Sequence, residues 1–319
     1  MTLPWLVADI GGTNARFGLV TELGGPPENV AVLNVAKHPS LADAVAAYLA
    51  DHAGGVRPGA ACLAIAGPVE NDRYRLTNAG WSGSVTELGI PHVDLLNDFE
   101  ALAVSLPHLA GHDLVPLGGP PPIPGMMKAV LGPGTGLGVG GLVPVGDGWA
   151  PVPGEGGHVS VPAVTDLEME IVRALRADGL PYVDAEHLLS GPGLVRLHRG
   201  LSLVRGVAPE ETSPSRIVES DDALSVETVE IFLALLGGFA GNVALTLGAH
   251  GGVYIGGGVL PRIAERAKGS DFRARFETTA PALSDYVGAI ATSLIVAEQP
   301  ALVGAAAWLS QRSSTVELV

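Results

Sequence analysis

The chain opens with apolar runs broken at short intervals by glycine. Residues 6–10 are apolar apart from Asp9, Gly11-Gly12 interrupts them, and 15–20 resume. This pattern reads as strand, glycine turn, strand. A third strand is predicted over 30–36. Ser40 then caps a helix predicted to run to about Asp51, with Leu41, Val45, Tyr48 and Leu49 at helical spacing. Residues 61–66 read as a short buried strand and 73–77 as an exposed one. Residues 93–97 read as a strand running straight into a helix over 99–106.

A Gly/Pro stretch at 118–125 (GGPPPIPG) reads as a loop. After it the pattern predicts a strand over 129–131, a glycine loop, and strands within 138–149. Thr165 and Glu168 form a capping-box pair for a helix to about Ala177. Further helices are predicted near Asp184, after Gly193 and from Ser225. A strand over 252–255 ends in Gly256-Gly257-Gly258, a helix follows from Pro261, and another lies near 301–309. Strands alternate with helices, which implies an α/β architecture with mixed sheets. The strand–glycine turn–strand unit occurs twice, at Asp9 and at Gly132, as if the two halves share one design.

One segment competes with this picture. Residues 231–249 carry no charge, and their length alone would allow a membrane span. Five positions dilute the run: Gly237, Gly238, Gly241, Gly248 and Asn242. Glu227 and Glu230 precede it, and the next Lys or Arg is Arg262, so no positive flank orients it. A buried helix explains it better, and no membrane partner is expected.

Composition narrows the function classes. The 319 residues suit two domains, and 47% are hydrophobic, enough for sizeable cores. A net charge of −15 offers neither nucleic acid nor an anionic membrane a basic footprint. It does not forbid phosphate ligands, which backbone N–H groups can bind. The single cysteine, Cys62, excludes an intramolecular disulfide and a multi-cysteine zinc site. The start Met-Thr-Leu-Pro-Trp lacks a basic region followed by an apolar one, so a cytoplasmic protein without a signal peptide is expected.

Two glycine loops carry the first chemistry. In Asp9-Ile10-Gly11-Gly12-Thr13-Asn14-Ala15-Arg16 a strand ends beside an acid, two glycines turn the chain, and Thr13 and Asn14 offer side-chain donors. Backbone N–H groups there can approach phosphate oxygens with no Cβ in the way. Asp9 is placed to hold Mg²⁺ through water. Gly132-Pro133-Gly134-Thr135-Gly136-Leu137-Gly138 is the second such loop. Either could be an ordinary hairpin turn; the pair, half a chain apart, favours phosphate. Gly256 and Gly257 allow close approach of a flat ligand or of another backbone, or simply make a tight turn.

Polar groups at three more places suit a polyhydroxyl ligand. Asp98 follows Asn97 at a strand-to-helix junction. It can cap the helix, or it can accept the proton of an attacking hydroxyl as a general base. Asn97 offers neighbouring hydroxyls a donor and an acceptor. In Pro153-Gly154-Glu155-Gly156-Gly157-His158 an acid and an imidazole lie three apart in glycine-rich backbone, poor as scaffold and reasonable as a binding loop. Glu186, in DAEHLLSGPG, reads on its own as a solvated first-turn helix acid.

Taken together the stretches DIGGTNAR (9–16), LNDFEA (96–101), GPGTGLG (132–138), PGEGGHV (153–159), LSGPGL (189–194) and GGVYIGGGVLPR (251–262) resemble the bacterial glucokinase family of the hexokinase/actin-like superfamily. They span nearly the whole chain in the family's order. The resemblance implies a two-domain actin-like ATPase (ribonuclease H-like) fold with a central cleft. Its smaller domain would be 1–108 plus 300–319 and its larger one 109–299. ATP and Mg²⁺ would sit on Asp9, Gly11, Gly12, Thr13, Asn14, Gly134, Thr135 and Gly136, with the adenosine near Gly256 and Gly257. Glucose would be held by Asn97, Asp98, Glu155, His158 and Glu186, with Asp98 as base. A homodimer is usual in the family. The related repressor/kinase group binds zinc through cysteines after its Glu-x-x-His segment. None follows His158 here, so the chain resembles the zinc-free type.

Three rivals remain at this stage. A kinase for another hexose would use the same polar groups. A sugar-responsive regulator would need a DNA-binding segment, but only eight residues precede Asp9. A filament-forming actin relative would have no use for Asn97-Asp98 or the Glu155/His158 pair.

Overall fold

The computed structural model describes residues 1–77, 79–109, 111–258 and 260–316. In chain order it begins with β1 (Trp5–Ile10), β2 (Asn14–Val20), β3 (Glu28–Asn34), α1 (Leu41–Asp51), β4 (Ala60–Ile65), β5 (Val69–Glu70), β6 (Arg73–Arg75), β7 (Ser82–Ser84), β8 (Val93–Asn97) and α2 (Asp98–Ser105). There follow β9 (Leu114–Gly118), β10 (Lys128–Pro133), β11 (Leu137–Val145), β12 (Gly148–Val152), α3 (Asp166–Ala177), α4 (Ala185–Leu188), α5 (Gly191–Arg205), α6 (Pro214–Glu219) and α7 (Ala223–Leu247). The last elements are β13 (Val253–Ile255), α8 (Ala264–Lys268), α9 (Phe272–Phe276), α10 (Ser284–Gly288), β14 (Thr292–Ile295) and α11 (Pro300–Val316). Contacts group the chain into two compact units, one of residues 1–110, 145–152 and 297–319, the other of 111–144 and 153–296. Val259 of the last glycine stretch and residues 317–319 lie outside the described residues.

In the first unit a five-stranded sheet runs in the order β3-β2-β1-β4-β8. β1 is antiparallel to β2 and parallel to β4, and β4 is parallel to β8. Strand periodicity splits its core between two faces. Leu6, Ala8 and Ile10 pack with Leu41, Val45 and Tyr48 of α1 on one side. Trp5 and Val7 pack with Leu302, Ala305 and Leu309 of α11 on the other. Gly304 lets α11 lie against α2, because a Cβ there would collide with the Ala101 carbonyl. A separate antiparallel sheet joins β5, β6 and β7.

In the second unit the strands run β11-β10-β13-β14-β9, with β10, β13 and β14 parallel and the outer pairs antiparallel. Helix α7, which carries the uncharged run that begins at Ile231, is the centre of its core. Of its most apolar window 72% is buried inside the protein. Two of its glycines serve packing: a Cβ on Gly237 or Gly241 would run into the backbone of Phe272 or Phe276 in α9.

The sequence readings of Ser40 and of the Thr165/Glu168 box hold in the structure. Several boundaries differ. The third strand ends at Asn34, whose side chain caps a 3₁₀ turn, Val35–Lys37. Helix α7 starts at Ala223 because Asp222 is its cap, with Ser225 N–H donating to Asp222 Oδ1 at 2.9 Å. Helix α5 starts at Gly191, capped by Ser190, rather than after Gly193. The helix expected from Pro261 is a 3₁₀ turn, Leu260–Ile263, followed by α8.

Candidate active site

In the first unit the three parallel strands end together. Ile10 of β1 lies opposite Ile65 of β4, which lies opposite Asn97 of β8. This gathers the Asp9 turn and the Asn97-Asp98 junction at one edge, the C-terminal edge where open α/β sheets hold ligands. Gly11 N–H donates to the Asn14 carbonyl at 2.9 Å, closing the β1–β2 turn, and Thr13 stands exposed at its tip. Gly11 needs its glycine for no internal reason: its φ is ordinary, and a Cβ would meet nothing closer than 3.5 Å. Asp9 faces Arg16 across the hairpin, with Nη1 3.3 Å from Oδ2. Burial pushes the Asp9 carboxyl above its ordinary 3.8, and Arg16 offsets only part of that.

At the β8–α2 junction the structure separates two duties that the sequence left merged. The helix cap is Asn97, not Asp98. Glu100 N–H donates to Asn97 Oδ1 at 2.5 Å, and Asn97 N–H donates to Glu100 Oε2 at 2.7 Å. Asp98 is the first helical residue, its Oδ1 accepting from Phe99 N–H at 3.1 Å. The Asn97 amide nitrogen makes no hydrogen bond among the described residues.

In the second unit the Gly134–Gly136 loop joins β10 to β11 beside the end of β13. Gly134 has open space around it and an ordinary φ, so the fold does not demand a glycine there. Thr135 is exposed at the tip. Gly191 N–H, in the first turn of α5, donates to the Gly134 carbonyl at 2.8 Å. Gly257 is different: φ is +85° and a Cβ would strike the Pro133 carbonyl. Its partner Gly132 would place a Cβ 2.7 Å from the Gly256 carbonyl carbon. Here the close approach is to another backbone.

Glu186 is not a solvated helix acid. Its Oε2 accepts from Leu137 N–H at 2.9 Å and lies so near Gly136 that a Cβ there would stand 2.5 Å away. The carboxylate therefore braces the glycine loop with one oxygen.

The 153–158 loop owes two of its glycines to packing. A Cβ on Gly156 would meet the Val139 side chain at 2.9 Å, and one on Gly157 would hit the Leu137 carbonyl. Gly154 faces open space. Glu155 is exposed, and its side chain makes no hydrogen bond among the described residues. His158 is about half exposed, and its Nδ1 lies 3.3 Å from Asp184 Oδ2. That hydrogen bond raises the imidazole above its ordinary 6.5; slight burial opposes it, and Glu186 and Glu155 add to it. Sequence reading passed over Asp184, Arg16 and Glu100. Asn97-x-x-Glu100 was a legible capping box, whereas nothing in a 26-residue separation tied Asp184 to His158.

The chain matches known proteins along almost its full length. The family model described as Glucokinase covers residues 6–312. The glucokinase of Saccharophagus degradans is 47% identical, over 97% of this chain and 98% of that one. The glucokinase of Aromatoleum aromaticum is 44% identical, over 96% and 94%. Among solved structures, a glucokinase from an Antarctic psychrotroph superposes with a TM-score of 0.89 at 35% identity, covering 98% of this chain and all of that one. A ROK family glucokinase from Streptomyces griseus, solved with glucose and AMPPNP, shares the fold at a TM-score of 0.62 and 19% identity, over 97% of this chain and all of that one. With the sheets, glycine loops and Asn97-Asp98 junction in place, these matches show that the chain belongs to the glucokinase family and has its two-domain actin-like ATPase fold.

Proposed function

We propose that the protein transfers the γ-phosphate of ATP to the 6-hydroxyl of glucose, giving glucose 6-phosphate and ADP, the entry step of glycolysis in the cytoplasm. One observation carries the mechanism: a carboxylate, Asp98, stands at the C-terminal edge of the parallel strands, and the helix cap is supplied by its neighbour Asn97. Asn97 supplies the cap, and Asp98 in this reading serves as the general base. In this reading the sugar is held by Asn97, Asp98, Glu155, His158 and Glu186. Asp98 accepts the proton of the 6-hydroxyl as that oxygen attacks phosphorus. Asn97 donates through its unused amide nitrogen, and Glu155 accepts from sugar hydroxyls.

The phosphates are taken by the two glycine loops, Gly11, Gly12, Thr13 and Asn14 in one and Gly134, Thr135 and Gly136 in the other, with the adenosine by Gly256 and Gly257. Support comes from Gly11 and Gly134, which neither φ nor packing requires. An approaching phosphate is what a Cβ at those positions would obstruct. Asp9 fits Mg²⁺ held through water: it is an oxygen ligand whose charge is left under-compensated by burial. Mg²⁺ would neutralise charge on the phosphate oxygens. The family resemblance also suggests a homodimer and no zinc.

The test is a phosphorylation assay with ATP and Mg²⁺ across a panel of hexoses. Strong preference for glucose is expected. Preference for another hexose overturns the substrate and keeps the chemistry. No phosphorylation of any sugar overturns the reading.

A further inference from the structure

The loop that carries His158 is tied to the start of α4 by backbone. Ser160 and Asp184 form an isolated antiparallel bridge, and Ala185 N–H donates to the Val159 carbonyl at 2.8 Å. This places the Asp184 side chain, only 6% exposed, against two imidazoles. Oδ2 lies 3.3 Å from His158 Nδ1, and Oδ1 lies 2.6 Å from His187 Nδ1. Oδ1 also accepts from His187 N–H at 2.8 Å, as the cap of α4. A buried carboxylate has acceptors only, so the His158 nitrogen facing it must carry the proton.

We propose that Asp184 is the positioning residue for His158: it holds the proton on Nδ1 and fixes the ring so that Nε2 is presented to the sugar. The inference rests on the reading of His158 as a sugar ligand and adds what sets its tautomer and orientation. Both oxygens of Asp184 are engaged by N–H donors, so the carboxylate cannot swing away without breaking the α4 cap. The charged groups facing His158 are Asp184 and Glu186 on the α4 segment and Glu155 on its own loop, with His187 on the far oxygen of Asp184. All three acids favour the imidazolium, and Asp184 contributes most through its hydrogen bond.

The Asp184→Ser variant isolates this role. Serine is as good a helix cap as aspartate, so α4 keeps its start, but serine cannot reach His158. The first readout needs no sugar: the ring nitrogens of His158 are titrated by nuclear magnetic resonance in the full chain. In the wild type the Nδ1–H tautomer and a pKa above 6.5 are expected; in Asp184→Ser the pKa falls toward 6.5 and the tautomer preference is lost. The second readout is kinetic. Asp184→Ser is expected to raise the glucose KM about two- to tenfold, the scale of one lost hydrogen bond, with kcat changed less and the inflection in KM against pH moved down. In a His158→Ala background Asp184→Ser should add nothing to KM. An unmoved His158 pKa, or an equal KM effect without His158, overturns the positioning role. If His158→Ala itself leaves the glucose KM unchanged, the sugar-ligand reading of His158 falls and the inference falls with it, even where the resonance data still show the Asp184 link.

Discussion

Asn97 and Asp98 are adjacent residues with different duties, and mutation can separate them. Asn97 closes a reciprocal cap with Glu100. Asn97→Ala should cost about 1 kcal/mol of stability by losing that cap, visible in urea unfolding, in addition to any loss of sugar affinity. Asp98→Ala should leave ATP affinity by calorimetry little changed and lower kcat by roughly two to four powers of ten, the scale of a lost general base. Turnover within tenfold of wild type would count against Asp98 as the base. The glycines divide in the same way. Gly257 sits at φ +85° against the Pro133 carbonyl, so Gly257→Ala should destabilise the fold. Gly134 has neither constraint, so Gly134→Ala should unfold within a degree or two of wild type yet raise the KM for ATP severalfold. A Gly134→Ala enzyme with wild-type KM would remove Gly134 from the phosphate site.

At the scale of elements, α7 shows how a helix that passes a membrane-length test belongs to a core. Gly237 and Gly241, one turn apart, form a notch into which the backbone of α9 settles. Alanine is the better helix former by about 1 kcal/mol, but at Gly237 its methyl would collide with the Phe272 carbonyl. Gly237→Ala should therefore destabilise by about 1–3 kcal/mol through overpacking. At Gly238 the nearest atoms to a new Cβ are 3.8 Å away, so Gly238→Ala should stabilise. Denaturant unfolding of the pair checks this, and equal effects would sink the notch argument. Local devices were legible in the sequence: the Ser40 cap, the Thr165/Glu168 box and the strand pair around Gly11-Gly12 all lie within a few residues. Short elements were not. β9 and β14 are held by each other across more than 170 residues, and α9 by its seat on α7, so their own residues carry little pattern. Separations of 26 and 49 residues hid Asp184 from His158 and Glu186 from the Leu137 N–H.

At the scale of the whole molecule, carboxylates that anchor helix starts set the response to acid. Glu168 serves α3, Asp184 caps α4 and Asp222 caps α7. Burial raises the first two, but the Arg275 pair and the backbone N–H groups at Glu168, and the His187 N–H with the two imidazoles at Asp184, outweigh it and leave both below their ordinary values of 4.5 and 3.8. Asp222 is depressed further, by Ser220 and then Ser225. A carboxyl whose pKa is lower folded than unfolded adds stability above its unfolded pKa and loses it as pH falls through the folded one. Stability should therefore hold from neutral pH to about 5 and decline from near pH 4.5 downward. Asp9 acts in the opposite sense, because its raised pKa lets protonation relieve its burial, and so offsets part of the loss. Glu168 is the most telling position to change. It is 4% exposed, its Oε1 lies 2.6 Å from Arg275 of α9, and its Oε2 accepts from Val164 and Thr165 N–H. Glu168→Gln keeps the shape and an acceptor but leaves the mostly buried Arg275 charge uncompensated, at a cost of about 3 kcal/mol at pH 7. Because the variant has no proton to gain, its stability should also fall less steeply than wild type between pH 5 and 3, and the two curves should converge in acid. Parallel curves from urea unfolding across that range would mean that Glu168 is not depressed in the folded protein and that the acid response arises elsewhere.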